Sequence, residues 1–309
     1  MSSLLVRDGE LEAWSEGSMK ILILGGTGML GHRLWLNLSQ VHETWVTVRG
    51  GASEFPGIPE FPRKYIRPHV DALVLDQVRD AIVSIQPDLV INCIGLIKQI
   101  ALANDPISSI SLNALFPHQV SLVCRKAGIR MIHISTDCIF SGKKGRYVES
   151  DPSDAEDLYG RTKFLGEVTY PHTITLRTSI IGRELKTRFG LIEWFLGQKG
   201  TIRGYKRAIY TGFTTDELSR IILNYVLPHP DLNGLYHVSS DPISKYDLLM
   251  LAKDSFGKEV TILPDENFLS DRSLDSTRFR EITGYKPPAW PMMIDELKRN
   301  SSLYDRFGG

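Results

Sequence analysis

The run Gly25-Gly26-Thr27-Gly28-Met29-Leu30-Gly31 constrains this chain more than any other, because of what flanks it. Four apolar residues, 21–24, lead into it, and an apolar helical stretch, 29–38, leads out. A strand that turns through closely spaced glycines into a helix brings backbone N–H groups and a positive helix end against a dinucleotide's diphosphate. The glycines permit a tight turn, close approach of backbone to phosphate and close helix packing. Their spacing, G-x-x-G-x-x-G, departs from the G-x-G-x-x-G of many dehydrogenases. Gly25, Gly28 and Gly31, with Thr27, Met29 and Leu30 between them, are the first candidate cofactor residues.

Further short apolar runs at 45–48, 89–94, 131–134, 173–176 and 235–238 alternate with helical stretches. That alternation predicts an α/β fold, a Rossmann-type doubly wound parallel sheet with helices on both faces. The Pro-rich segment 55–68 reads as an irregular connection with a strand hidden near Tyr65 and Ile66. At 309 residues the chain exceeds one average domain. Beyond Gly182 the segments 183–207 and 241–309 are richer in aromatics and Pro. The expected division is a dinucleotide-binding domain of 19–182 plus 208–240 and a smaller C-terminal substrate lobe of 183–207 plus 241–309. Residues 1–18 carry Glu10, Glu12 and Glu16 without a long apolar run, so they read as a disordered extension and not as a targeting signal. Met19, directly before the first strand, is the expected natural start.

Composition narrows the partners. Lys+Arg 36 balances Asp+Glu 36, which gives no electrostatic case for nucleic acid or an anionic membrane surface. No eighteen consecutive residues are apolar, so no membrane span is expected. Cys93, Cys124 and Cys138 are odd in number and lack metal-ligand spacing, which predicts free thiols and a cytoplasmic protein. No metal requirement is expected. The sequence leaves the oligomeric state open, a homodimer included.

Arg49 stands where the second strand ends, the place at which an NAD-specific protein usually carries Asp or Glu for the ribose hydroxyls. A guanidinium there suits a 2′-phosphate, so NADPH is the expected cofactor, with NADH as the alternative. Asp71 is a candidate for the adenine amino group. Asn92, Cys93 and Gly95 close the fourth strand, where small residues let the chain pass against the nicotinamide half. Asn113, on the next helix, is a candidate brace for an active-site lysine.

Reduction of a ketone needs hydride at carbon and a proton at oxygen. Tyr159 and Lys163, four residues apart on one helix face, supply an acid and a cation; Lys163 is expected to lower the Tyr159 pKa and to hold the nicotinamide ribose. Thr136, ending the apolar run before them, is the expected hydrogen-bond partner of the carbonyl oxygen. Both Tyr159 and Lys163 therefore also count among the cofactor contacts.

Taken together, the Gly25/Gly28/Gly31 loop, Asn92 to Gly95, Ser135-Thr136-Asp137, Tyr159 with Lys163, and Leu176-Arg177 resemble the extended short-chain dehydrogenase/reductase family. The segment Ile134 to Gly142 is similar to the Ser-Thr-Asp-Tyr-Val-Phe-Asp-Gly segment of dTDP-4-dehydrorhamnose reductases. That resemblance implies catalytic roles for Thr136, Tyr159 and Lys163 and a nucleotide-sugar substrate reduced at its C4 ketone, in deoxysugar or polysaccharide biosynthesis. Related 4,6-dehydratases place Glu where this chain has Cys138, and a thiol of ordinary pKa is a poor acid for that elimination. An epimerase of the same family is the alternative, as is a non-catalytic regulatory subunit such as that of methionine adenosyltransferase. Asp137, Cys138 and Lys98 are expected to face the sugar, Arg203 and Tyr205 the nucleotide diphosphate and base, and Thr215 the substrate cleft.

Overall fold

Seven parallel strands, five of them buried along most of their length, organise the molecule in the computed structural model, which describes residues 17–52 and 62–306. They are β1 (Lys20–Leu24), β2 (Glu43–Thr47), β3 (Ile66–Arg67), β4 (Leu89–Asn92), β5 (Arg130–Thr136), β6 (Thr173–Thr178) and, later in the chain, β11 (Gly234–His237). Their order across the sheet is β11-β6-β5-β4-β1-β2-β3, every pairing parallel. Side chains alternate across a strand, and β1 shows the consequence. Ile21 and Ile23 pack into one core with Leu34, Trp35 and Leu38, whereas Leu22 and Leu24 pack into another with Val78, Ile82 and Val120. The sheet therefore needs helices on both faces, as the apolar runs predict. The extension 1–16 and the first part of the Pro-rich connection, 53–61, lie outside the described residues. The hidden strand near Tyr65 is found as β3.

Helix α1 (Met29–Leu38) buries Leu30, Leu34, Trp35 and Leu38 along one stripe against the sheet. Helix α2 (Leu75–Ile85) covers the opposite face together with a long helix that runs from α3 (Pro106–Ser109) through a π-helical segment, Ile110–Leu115, into α4 (Phe116–Ala127). Because β1 leads through α1 to β2 on one side while β4 lies on its other side, the strand order reverses between β1 and β4. A ligand crevice opens at the carboxyl ends of strands at such a point. Helix α5 (Leu158–Leu165) follows β5 and lies over its end.

Beyond β6 the chain leaves the main sheet through β7 (Ile180–Ile181) and α6 (Leu191–Leu196). Strand β8 (Gly200–Tyr205) pairs with β13 (Val260–Asp265), and β9 (Ala208–Tyr210) lies between β12 (Ile243–Ser244) and β14 (Ser270–Asp271). Strand β10 (Phe213–Thr214) pairs with β7 and runs into α7 (Thr215–Ile221), after which β11 rejoins the main sheet. Helices α8 (Lys245–Phe256), α9 (Thr277–Thr283) and α10 (Trp290–Arg299) complete the C-terminal part, and a final 3-10 turn spans Asn300–Arg306. No helix among the described residues is long and apolar enough to cross a membrane.

Candidate active site

Gly25 and Gly31 of the loop after β1 have steric reasons to be there. Gly25 has φ +89°, and a Cβ on it would lie 2.9 Å from Ile94 Cγ1. A Cβ on Gly31 would lie 2.1 Å from the Gly25 carbonyl oxygen, so only glycine lets α1 press this closely on the turn. The turn is tied to β2: the Gly25 N–H donates to Thr47 Oγ1 at 3.2 Å and the Gly26 N–H to the Thr47 carbonyl at 2.9 Å. Gly28 is the N-cap of α1, and no side chain caps it. The first-turn N–H groups at Met29, Leu30 and Gly31 are thereby left to an outside acceptor, at the positive end of the helix. This cradle fits a dinucleotide diphosphate; Leu30 can contribute only its backbone, since its side chain belongs to the core. Arg49 is exposed two residues past β2. Asp71 spends one carboxylate oxygen on the Leu73 N–H at 2.9 Å.

At the end of β4 the expected residues divide. Asn92 is fully buried, its Oδ1 accepting from the Ile94 N–H at 3.0 Å and its amide facing His133 at 3.2 Å. Its side chain is committed to the core, which corrects the expectation that it contacts cofactor. Gly95 is exposed, and a Cβ there would lie 3.2 Å from Asn113 Oδ1 and 3.8 Å from Lys163 Nζ, so these three residues meet. Asn113 holds the Leu96 backbone through two hydrogen bonds, of 2.8 and 3.2 Å, and reaches Thr162, so it braces the loop and the helix. It does so from the π-helical segment. Cys93 is a protonated thiol, burial pushing it up to about 12.

Thr136 ends β5 beside Tyr159, which is half-buried on the first turn of α5; the Thr136 hydroxyl itself donates to Asp137 Oδ1 at 3.2 Å and accepts from the Cys138 N–H at 3.1 Å. Asp157 caps that turn by accepting the Gly160 N–H at 2.8 Å. The electrostatics differ from expectation. Burial, followed by the neighbouring Cys138, raises the Tyr159 pKa instead of Lys163 lowering it. Lys163 Nζ donates to the Ile134 carbonyl at 2.9 Å and so is anchored to β5. Burial pulls the Lys163 pKa down to about 8. A phenol kept protonated beside a hydroxyl is suited to give a proton, not to take one.

Lys163 gives a pH prediction with two signs. Between about 8 and the ordinary lysine value of 10.5 the folded chain binds fewer protons than the unfolded one, so this group's contribution to stability rises with pH across that window. A hold of the Lys163 ammonium on a cofactor ribose, the role expected from the sequence, would be lost over the same window. The kcat/KM for cofactor, which reports the free protein, is expected to fall on an alkaline limb starting near pH 8; a flat profile through that region contradicts the assignment.

On the substrate side, Asp137 and Cys138 follow Thr136 in a short 3-10 turn. Burial raises the Asp137 carboxyl, and burial together with Asp137 pushes the Cys138 thiol up to about 12, too weak an acid for dehydratase chemistry. Arg272 was not singled out as a site residue from sequence, and the structure brings it here from the far end of the chain: its Nε donates to the Phe140 carbonyl at 2.8 Å and one NH group lies 3.7 Å from Cys138 Sγ. A separation of 134 residues gave no local signal for this. Lys98 forms an ion pair with Asp157, the cap of α5. Arg203 and Tyr205 share the exposed face of β8, where their side chains contact Asp265 and Phe268. Thr215 is fully buried against Gly182, and Thr214 caps α7 by accepting the Glu217 N–H, so Thr215 presents no atom to a substrate; this corrects the expectation for it. Arg177 belongs to the scaffold: it forms a two-point pair with Glu167, at 2.8 and 2.7 Å, and Glu167 also accepts from Ser135.

A parallel Rossmann sheet with a glycine cradle and a tyrosine–lysine helix beside a strand-end threonine defines an NAD(P)-dependent oxidoreductase of the extended short-chain dehydrogenase/reductase class. Residues 19–297 match the family model described as RmlD substrate binding domain, and the chain belongs to that family. It is 25% identical to the spore coat polysaccharide biosynthesis protein SpsK of Bacillus subtilis (strain 168), over 93% of this chain and 99% of that one. It is 22% identical to methionine adenosyltransferase 2 subunit beta of Mus musculus, over 93% of this chain and 92% of that one. Among solved structures it resembles dTDP-4-dehydrorhamnose reductase of Bacillus anthracis in complex with NADP, with a TM-score of 0.75 and 19% identity over 92% of this chain and 99% of that one.

Proposed function

We propose that this chain catalyses NADPH-dependent reduction of the C4 ketone of a nucleotide-linked 4-keto-6-deoxyhexose, either dTDP-4-dehydrorhamnose or a UDP-linked N-acetylamino analogue. The observation that carries the reading is the placing of the Thr136 side chain next to the Tyr159 phenol, with Lys163 anchored on the Ile134 carbonyl at the end of β5 on the crevice side of the sheet. A bound nicotinamide supplies the hydride. Thr136 orients the ketone oxygen, Tyr159 gives it the proton, and Lys163 holds the cofactor ribose. The glycine cradle and the first turn of α1 hold the diphosphate, and Arg49 takes the 2′-phosphate. Cys138, Asp137 and Arg272 bound the sugar pocket, with the part of the chain beyond β7 acting as the substrate lobe. The reaction belongs to the cytoplasm, where activated sugars are made.

Arg49→Glu tests the cofactor choice. A hydrogen-bonded charge pair is worth about 1.5–3 kcal/mol, so NADPH affinity is expected to fall about 10- to 100-fold with NADH affinity little changed. Equal loss for both cofactors sinks the 2′-phosphate assignment. The activity itself is tested by mixing the protein with NADPH and each 4-keto sugar and following the fall in NADPH absorbance.

The similarity to methionine adenosyltransferase 2 subunit beta favours a second reading, a dinucleotide-binding regulatory subunit. Failure to oxidise NADPH with any 4-keto sugar, together with capture of a methionine adenosyltransferase, selects it.

A further inference from the structure

The turn Asn300–Arg306 is bonded to the helix that carries the proposed cofactor cradle. His32, on the first turn of α1, is fully buried with both ring nitrogens engaged. Nδ1 lies 2.7 Å from the Gly28 carbonyl oxygen and Nε2 lies 2.7 Å from the Tyr304 hydroxyl. A carbonyl oxygen only accepts, so Nδ1 carries the hydrogen, Nε2 is the acceptor and Tyr304 donates. Burial holds the ring neutral, its pKa lowered to about 4. The Tyr304 ring meets the His32 ring edge-on at 5.5 Å and lies under the Arg183 guanidinium at 5.0 Å. A second tie runs beside the first: Arg33 of α1 pairs with Asp216, which also accepts from Asn300.

The geometry of one peptide gives this contact its consequence. In a trans peptide the C=O of Gly28 and the N–H of Met29 point in opposite directions. The Gly28 carbonyl accepts both the His32 N–H at 3.2 Å and the His32 ring at 2.7 Å. Fixing that carbonyl along the helix aims the Met29 N–H out of the helix end, at the place where the cradle receives a diphosphate. We propose that Tyr304, acting through His32, is a positioning residue for the dinucleotide cradle, so that the C-terminal turn Asn300–Arg306 sets cofactor affinity. The proposal rests on the dinucleotide reading of that loop.

The test is equilibrium binding of NADPH, and separately of ADP-ribose, to the full-length protein and its variants, with kcat measured at saturating NADPH. Tyr304→Phe keeps the ring under Arg183 and removes only the hydroxyl. Loss of one hydrogen bond is expected to weaken NADPH and ADP-ribose alike, by about three- to tenfold, with kcat at saturating NADPH held within about twofold. A general loosening of the fold would lower kcat as well. His32→Asn keeps a donor toward the Gly28 carbonyl, whereas His32→Leu removes it, so the Asn variant is expected to bind NADPH more tightly than the Leu variant. Should Tyr304→Phe fail to fold, that ordering decides the matter alone. Unchanged affinity in Tyr304→Phe, or equal affinities of the two His32 variants, overturns the proposal. Wild-type protein that binds neither ligand overturns instead the dinucleotide reading beneath it.

Discussion

Tyr159→Phe is expected to cut turnover by roughly 10³-fold, in the range that a positioned general acid contributes, while NADPH binding stays close to wild type. The phenol sits against Thr136 at the end of β5, and burial keeps it protonated. Removing only its oxygen leaves the ring's packing and takes away the proton that a reduced ketone needs. Binding is spared because the cradle, Arg49 and Lys163 do not depend on that hydroxyl; Lys163 is anchored separately, on the Ile134 carbonyl. Stopped turnover with retained NADPH binding supports the role, and turnover within about tenfold of wild type removes Tyr159 from the mechanism.

Gly160→Ala carries the second large effect, and its sign separates two physical arguments. Helix propensity alone favours Ala over Gly inside a helix by about 1 kcal/mol. The contact geometry points the other way. A Cβ on Gly160 would lie 2.3 Å from the Cys138 carbonyl oxygen and 2.6 Å from Ala155 Cβ, both on chain that has little room to yield. Overpacking of this kind costs about 1–3 kcal/mol. The relief available to the fold is to lift α5 away from the turn after β5, which separates Tyr159 from Thr136. A displacement near 1 Å at a reacting group costs about 10²-fold in rate. Lower thermal stability together with a turnover loss of that order is expected; a stabilised, fully active variant contradicts the account of how α5 is seated. Gly166 closes the other end of the same helix, where a Cβ would lie 1.9 Å from the Asn113 carbonyl oxygen.

How much of this was legible in the sequence follows from how local each signal is. Helix α1 was read at its observed bounds, because its apolar stripe and the glycine turn before it lie within one short segment. The strands at β1, β4, β5, β6 and β11 were legible from short apolar runs, because a parallel sheet covered on both faces buries most side chains along its central strands. The tyrosine, lysine and threonine of the proposed site stand out through chemistry and order along the chain. What the sequence did not show is what depends on partners far away in it. Arg272 reaches the turn at Cys138 across 134 residues, and Tyr304 reaches His32 across 272. Asn92 and Thr215 have residue types that suit a site, and only burial shows their side chains turned into the core. The pKa of Tyr159 was misjudged for a related reason: spacing puts Lys163 on the same helix face, but the ammonium is drawn to the Ile134 carbonyl and desolvation then dominates the phenol.

The central claim is that these residues direct hydride from NADPH to C4 of a nucleotide-linked keto sugar. Its most direct test is to incubate the protein with NADPH deuterated at the transferring position and each of the dTDP- and UDP-linked 4-keto-6-deoxy sugars, then locate the label by NMR. Deuterium on C4 of one sugar, with NADPH consumed in equal amount, is the predicted result. Sugar recovered without label but inverted at a ring carbon, or NADPH bound and never consumed, contradicts it.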